Sequence, residues 1–205
     1  HDSGRSHADP CKVETTWFSR NGMRRSNNGS SRMVSRETTE RFDCFCALVE
    51  KWSRKINLVA PSTLTEIRQR HVNDSTQLFD LTSETTRYWV DLGSGGGFPG
   101  LVIAILAREL RPDMTVSLVE SDARKTVFLR TAVRELDLTV HVTQKRIEQC
   151  DPCKADVVSA RALAPLPRLL PLVHRHLAQN GHALLPKGAG WRKEVASARA
   201  SWHFD

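Results

Sequence analysis

The sequence predicts an α/β domain with a mostly parallel sheet and helices on both faces. Residues 87–110 contain an apolar strand, a glycine-rich loop and an almost wholly apolar helix, the first unit of a nucleotide-binding α/β domain. From residue 115 onward, short apolar runs suited to buried strands alternate with longer segments suited to helices. A chain of 205 residues is long enough for one such domain with an appendage.

The predicted elements follow in chain order. We expect strands at residues 88–92, 115–120, 138–143, 156–160 and 182–186, and helices at residues 101–110, 122–136, 163–177 and 191–200. Prolines within residues 163–177 predict an irregular start to that helix. On the helix that Asp122 opens, Val127 and Phe128 are expected to face the core.

Residues 33–86 predict a helical cap before the first strand. Ser35 suits the N-cap of a first helix, whose apolar stripe recurs every three or four residues: Phe42, Phe45, Val49, Trp52 and Ile56. A second helix is expected after Thr63 or Thr65. There we interpret His71 and Asp74 as a surface polar pair, with a catalytic pair as the alternative. Residues 1–32 predict a disordered basic arm, or a non-native extension upstream of Met33.

The glycine-rich loop fits two kinds of ligand. Gly95, Gly97 and Gly100 have the spacing of a dinucleotide-binding loop. Asp91, Gly93 and Gly95 have the spacing seen in loops that bind S-adenosylmethionine (SAM). A carboxylate repels a pyrophosphate, whereas it attracts the ammonium and sulfonium of SAM. Asp91 therefore favours SAM, with Asp91, Gly93 and Gly95 as predicted cofactor-binding residues.

Glu120 is a further candidate for the cofactor site. It ends the second predicted strand, 20 residues beyond Gly100. An acid at that place can accept hydrogen bonds from both ribose hydroxyls of a nucleotide-like ligand. The alternative interpretation is an exposed strand end without a ligand.

Composition indicates an anionic partner. The net charge of +7 and the isoelectric point near 9.5 favour nucleic acid, with solubility alone as the alternative. The sequence has no apolar run of ~18 residues and no secretory signal, so we expect a cytoplasmic protein without a membrane partner.

Four of the cysteines could be drawn as a zinc site: Cys44, Cys46, Cys150 and Cys153. Cys44 and Cys46 lie two apart on a predicted helix and therefore point to different sides of it. We expect free thiols and no metal.

Several segments, in order, resemble the bacterial small-subunit ribosomal RNA guanine-N7 methyltransferases, the RsmG or glucose-inhibited division protein B family. They span residues 34–205: Lys51-Trp52 with Ile56 to Leu58, Arg70-His71 with Asp74-Ser75, Val90 to Gly100, Lys125 with Phe128 to Arg130, Ser159 with Arg161-Ala162, and Leu185 to Gly188. The resemblance implies a class I SAM-dependent methyltransferase fold at residues 87–205. That fold has two further strands, so we expect the domain to be C-terminally incomplete.

The resemblance also implies an activity and sites. The implied reaction methylates N7 of a guanine in a 16S rRNA loop, with 16S rRNA or the small ribosomal subunit as partner. Guanine N7 is a lone-pair acceptor, so no general base and no catalytic side chain are expected. The implied SAM contacts fall on Gly93, Phe98, Ile147, Glu148 and Arg161. For Arg161, contact with the target guanine and a purely structural role remain alternatives.

Cations near the predicted ligand end of the sheet predict an RNA-binding rim. The candidates are Arg124, Lys125, Arg130 and Lys187, with Arg134, Lys51, Arg54 and Lys55 nearby. We expect a monomer. Two other functions remain open: a NAD-dependent oxidoreductase, from the second glycine register, and a non-catalytic RNA-binding protein on a methyltransferase fold.

Overall fold

The structure is a computed structural model that describes residues 14–16 and 34–203. Within these residues, six strands form one parallel sheet. The strands are β1 (Glu14–Thr16), β2 (Tyr88–Leu92), β3 (Thr115–Glu120), β4 (Val140–Gln144), β5 (Ala155–Ser159) and β6 (Leu177–Leu184). Their order across the sheet is β1-β6-β5-β2-β3-β4. The chain moves outward from β2 to β4 and then returns to β5, so the strand order reverses between β2 and β5.

Helices cover both faces of the sheet. The α-helices are α1 (Arg36–Ser53), α2 (Asn73–Asp80), α3 (Gly100–Leu110), α4 (Ala123–Glu135), α5 (Leu166–His176) and α6 (Trp191–Ala198). Buried side chains of α1 to α4 form one apolar cluster, and those of α5 and α6 belong to a second. Trp89 and Val90, neighbours on β2, belong to different clusters, because successive strand residues point to opposite faces.

Side-chain caps start α1 and α4 at the predicted places. Ser35 Oγ accepts a hydrogen bond from the Thr38 N–H at 3.1 Å at the start of α1. The Asp122 carboxylate accepts from the N–H groups of Arg124 and Lys125 at 2.8 and 3.2 Å at the start of α4. Both caps satisfy donors that have no partner within the helix.

Some details differ from the prediction. The prediction that Val127 faces the core is wrong: its side chain is 52% exposed, and the core positions of α4 are taken by Phe128 and Leu129. The strand predicted at residues 182–186 begins earlier, at Leu177, because α5 ends at His176 and the chain enters the sheet without a loop. The irregular start expected after residue 163 is present, since α5 begins only at Leu166.

The segment between α1 and α2 is not the single helix that the sequence predicted. Pro61–Glu66 form a 3-10 helix, and Arg68–Val72 form a π-helical turn that leads into α2. A π-turn is wider than an α-turn and changes which side chains face inward. Here it buries His71 and Val72.

The strand β1 lies within the stretch predicted to be an arm. Its backbone pairs in parallel with β6, with Glu14 opposite His182 and Thr16 opposite Leu184. The predictions for the rest of residues 1–32 and for Met33 lie outside the described residues. Among the residues that are described, no helix is both long and apolar enough to cross a membrane.

Candidate active site

A cavity of about 440 Å³ opens where β2, β3 and β5 end. This is the point at which the strand order reverses, where open α/β sheets bind ligands. Its volume is typical of sites for small molecules. It is lined by seven of the residues predicted to bind the cofactor: Gly93, Gly95, Phe98, Glu120, Ile147, Glu148 and Arg161.

The glycine-rich loop after β2 is fastened to the end of β3. The N–H groups of Gly93 and Ser94 both donate to the Val119 carbonyl, at 2.8 and 3.1 Å. The Gly95 N–H donates to Glu120 Oε2 at 2.9 Å, and Glu120 Oε1 accepts from the Asp122 N–H at 2.8 Å. Glu120 therefore joins the loops after β2 and β3, and a carboxylate has lone pairs for further donors.

Gly93 is required where it stands. Its φ of +68° lies in the left-handed region, which side chains with a Cβ rarely adopt. A Cβ built there would lie 2.6 Å from Leu163 Cδ1, on the opposite wall of the cavity. The missing side chain therefore keeps this end of the cavity open.

Asp91 does not line the cavity, contrary to the prediction that it binds the cofactor directly. It is 1% exposed beneath the loop. Its Oδ1 accepts from Ser159 Oγ at 2.7 Å, and its Oδ2 accepts from the Gly100 N–H at 3.2 Å. Burial raises the pKa of this carboxyl to about 6, although these hydrogen bonds and the charge of Arg161 oppose the shift. Asp91 thus connects β5 to the start of α3, because its strand position points into the protein.

Arg161 lies on the loop after β5. Its side chain contacts His71 and Phe98, two residues whose proximity the sequence did not predict. Its guanidinium nitrogen is 3.0 Å from His71 Nδ1, and its Cζ lies 5.3 Å from the centre of the Phe98 ring. The His71 ring also packs on Phe98, with centroids 5.2 Å apart. The interpretation of His71 as a surface residue is wrong, because the π-turn buries it against the cavity wall.

Lys187 was predicted to bind RNA, but its side chain is buried and cannot reach RNA. Its side chain is only 7% exposed. The ammonium donates to the Ala164 carbonyl at 2.7 Å and lies 2.9 Å from Glu194 Oε2. Glu194 also accepts from the Leu166 N–H at 2.8 Å. Burial raises the pKa of Glu194, but hydrogen bonds from Lys187 and Leu166 outweigh it, so that the net shift is downward. The Lys187–Glu194 pair therefore holds the segment after β5 in place through its bonds to Ala164 and Leu166.

Further residues that were not among the predicted cofactor contacts also line the cavity. Leu58 reaches the glycine loop from the cap, and its carbonyl oxygen would lie 2.8 Å from a Cβ on Gly96. Lys145 and Arg146 follow β4, and Leu163 follows Arg161. Lys145 and Arg146 adjoin the predicted Ile147 and Glu148 and could have been inferred from that position. Leu58 lies in a segment that resembles the family, but its contact with the glycine loop depends on how the cap packs and was not predicted.

The remaining predicted RNA-binding residues lie on α4. Arg124 and Arg130 are exposed, and Lys125 lines the cavity. A groove of about 420 Å³ runs between α1 and α4, where Lys51, Lys55 and Arg134 surround Trp52. Trp52 packs edge-on against Phe128 on α4, with centroids 5.7 Å apart, and the groove brings the cations Lys51, Lys55 and Arg134 together.

The cysteines of the described residues are free thiols: Cys44, Cys46, Cys150 and Cys153. Burial raises the pKa of Cys46 to about 11 and raises that of Cys153 as well. His176 Nδ1 lies 3.2 Å from Cys153 Sγ. In the part of the chain that the structure describes, no three His, Cys, Asp or Glu side chains gather as a metal site would require.

Comparison with known proteins decides the family. A family model described as GidB, rRNA small subunit methyltransferase G, matches residues 38–205. The chain belongs to this family. It is 54% identical over 172 residues to ribosomal RNA small subunit methyltransferase G of Cereibacter sphaeroides (strain ATCC 17029 / ATH 2.4.9), covering 84% of each chain. It is 49% identical over 171 residues to the protein of that name in Paramagnetospirillum magneticum, covering 83% of this chain and 81% of the relative.

Solved structures share the fold at low sequence identity. A protein from Corynebacterium glutamicum superposes with a TM-score of 0.52 and 16% identity over 70% of this chain and 66% of its own. A candidate SAM-dependent methyltransferase from Methanococcus maripaludis superposes with a TM-score of 0.50 and 14% identity over 84% and 74%. These superpositions confirm the class I methyltransferase fold. The family match and the relatives confirm the prediction of an rRNA methyltransferase that uses SAM.

Proposed function

We propose that this protein transfers the methyl group of SAM to N7 of a guanine in a loop of 16S ribosomal RNA. One observation carries the proposal: Gly93, Glu120 and Arg161 surround a single cavity at the switch point of the sheet, in a methyltransferase G family chain. The cofactor is SAM. The N7 position and the 16S rRNA loop rest on the family resemblance.

The residues around the cavity fit the groups of SAM. Gly93 leaves room for close approach to the backbone, and Glu120 carries acceptor oxygens suited to ribose hydroxyls. Ile147, only 8% exposed, offers an apolar wall suited to an adenine ring. The guanidinium of Arg161 suits a carboxylate. Bound SAM supplies an electrophilic methyl group.

The proposed reaction requires alignment more than acid–base chemistry. Guanine N7 has a lone pair and loses no proton before it attacks a methyl group, so the protein has to orient the base and exclude water. Phe98, Leu58 and Leu163 supply apolar surface at the cavity for that purpose. Because the deep groove of A-form RNA hides the N7 edge, the target belongs in an irregular loop.

We further propose that the exposed face of α1 and α4 contacts the RNA backbone. Lys51, Lys55 and Arg134 surround the groove between the helices, and Lys125 brings positive charge to the mouth of the cavity. Arg124 and Arg130 lie exposed on the same helix, α4. Lys187 is excluded, since its charge is buried against Glu194.

Methyl transfer from labelled SAM tests the activity. The protein is incubated with naked 16S rRNA, small subunits and whole ribosomes, and the modified nucleotide is mapped. We expect one N7-methylated guanine. Label at another position would refute the N7 assignment, and RNA binding without transfer to any of the three substrates would support the non-catalytic alternative. Binding of NAD in preference to SAM would support the oxidoreductase.

The salt dependence of RNA binding tests the basic face. Arg124→Gln with Lys125→Gln removes two cations, so the slope of log affinity against log salt should become shallower by ~1–2. The matched control, Arg192→Gln with Lys193→Gln, removes two exposed cations from α6, on the other face of the sheet. Equal slopes in the wild type and the α4 variant would exclude Arg124 and Lys125 from the interface.

A ribosomal RNA substrate supports a cytoplasmic location, which we propose on that ground. The same assay distinguishes two partners, the assembled small subunit and naked 16S rRNA. Whichever is methylated faster is the partner. The monomeric state stays a prediction.

A further inference from the structure

His71 connects the segment before the sheet to the loop that carries Arg161. The residue lies in the π-helical turn Arg68–Val72 and is 9% exposed. Its Nδ1 is 3.0 Å from the guanidinium of Arg161, a residue 90 positions later in the chain. On the other side of the ring, Nε2 is 2.9 Å from Thr63 Oγ1.

The partners of His71 determine which ring nitrogen carries the proton. A guanidinium only donates, so Nδ1 must accept the hydrogen bond from Arg161. Thr63 Oγ1 donates its own proton to the Ala60 carbonyl at 2.8 Å, so it accepts from Nε2. These bonds require a neutral imidazole with its proton on Nε2, because a protonated ring would point an N–H at the guanidinium.

We propose that His71 is a positioning residue that orients Arg161 for methyl transfer. The hydrogen bond at Nδ1 holds one edge of the guanidinium, and the Phe98 ring, 5.3 Å from Cζ, limits its tilt. Phe98 in turn packs on the His71 ring, so the three side chains constrain one another. This inference rests on the proposed function, in which Arg161 contacts SAM or the target guanine.

Two polar substitutions test the two ring nitrogens of His71 separately. His71→Asn keeps an amide near the Nδ1 position, where it can accept from Arg161. His71→Gln keeps an amide near the Nε2 position and loses that acceptor. We expect the Gln variant to lower kcat by at least ~tenfold, matching Arg161→Lys, and the Asn variant to stay within ~threefold of the wild type. The double variant His71→Gln/Arg161→Lys should be no slower than Arg161→Lys alone, since His71 acts through Arg161.

Ser75→Ala is the control for instability of the same segment. Ser75 Oγ donates to the His71 carbonyl at 2.6 Å, so its loss should lower Tm without changing kcat below Tm. Equal losses in the Asn and Gln variants, additive losses in the double variant, or a normal kcat for His71→Gln would each overturn the proposal. A normal kcat for Arg161→Lys would instead remove the ligand contact assigned to Arg161.

Nitrogen NMR of the wild type gives a test that does not depend on folding of the His71 variants. With ¹⁵N-labelled histidine, His71 should show the neutral form protonated at Nε2. Its Nδ1 resonance should move in Arg161→Lys, which retains charge but loses the planar fork. Protonation at Nδ1, or an unchanged resonance in that variant, would contradict the proposed contact.

Discussion

The two loops that face each other across the cavity are held in place by different means. The loop after β2 is held through its own backbone N–H groups, which donate to the Val119 carbonyl and to the Glu120 carboxylate on the adjacent strand. The loop after β5 is held by side chains from distant segments. His71 contacts Arg161, and Lys187 donates to Ala164.

The difference indicates what each loop contributes. Backbone bonds and glycines shape the first loop, so a side chain added there blocks the ligand directly. In the second loop Ala162 has a φ of +53°, a conformation that a non-glycine residue keeps only when its surroundings enforce it. Substitutions in the second loop should therefore alter catalysis while the fold survives.

The largest effect is expected from Gly93→Val. A β-branched residue at a φ of +68° is strained, and its Cβ would meet Leu163 at 2.6 Å. SAM affinity measured by calorimetry should fall by more than ~100-fold, or ~2.7 kcal/mol. Gly188→Val is the matched control, because no atom lies within 4 Å of a Cβ at Gly188. Tight SAM binding by Gly93→Val would refute the assignment of this loop.

Asp91 predicts how stability depends on pH. Burial raises its pKa from 3.8 to about 6, so between these values the folded protein binds a proton that the unfolded chain has released. The free energy of unfolding should therefore decrease as the pH rises from 4 to 6, by about 2 kcal/mol from this group. Urea unfolding of the wild type and Asp91→Asn across this range measures the effect. Parallel curves would contradict it.

Glu120→Ala should weaken SAM binding by about 1–3 kcal/mol, since the variant loses acceptors for the ribose and the bond to the Gly95 N–H. Calorimetry measures the loss, and thermal melting shows how much comes from the loop itself. Glu148→Ala is a useful comparison: Glu148 lines the same cavity but is exposed. Unchanged SAM affinity in the Glu120 variant would exclude a ribose contact.

Arg161→Lys should give the smallest of these effects, and it should affect methyl transfer without affecting stability. The variant keeps its charge but loses the planar fork, so methyl transfer should decrease by at least ~tenfold, or ~1.4 kcal/mol, with little change in Tm. Turnover and melting are measured on the same preparation. Normal melting together with normal turnover would show that Arg161 contacts neither SAM nor RNA.

The sequence predicted those parts of the site that depend on local patterns. The strand at residues 88–92 and the glycine loop after it were recognised from one continuous segment, and β2 has the predicted bounds. Glu120 could be predicted because a strand that ends in an acid brings that acid to the ligand edge of a parallel sheet. Asp91 was recognised as important but given the wrong role, since the pattern does not tell which face of the loop its carboxylate meets.

By itself, therefore, the sequence determined the chain order of the strands and helices from β2 onward, the glycine loop and the family resemblance, because these depend on neighbouring residues. Only the tertiary structure decided which groups His71 and Lys187 contact. The π-turn buries His71 against Arg161, and Lys187 is buried in an ion pair with Glu194. Both depend on pairs of polar side chains that meet through packing, and a buried polar group needs a partner that periodicity in the sequence does not specify.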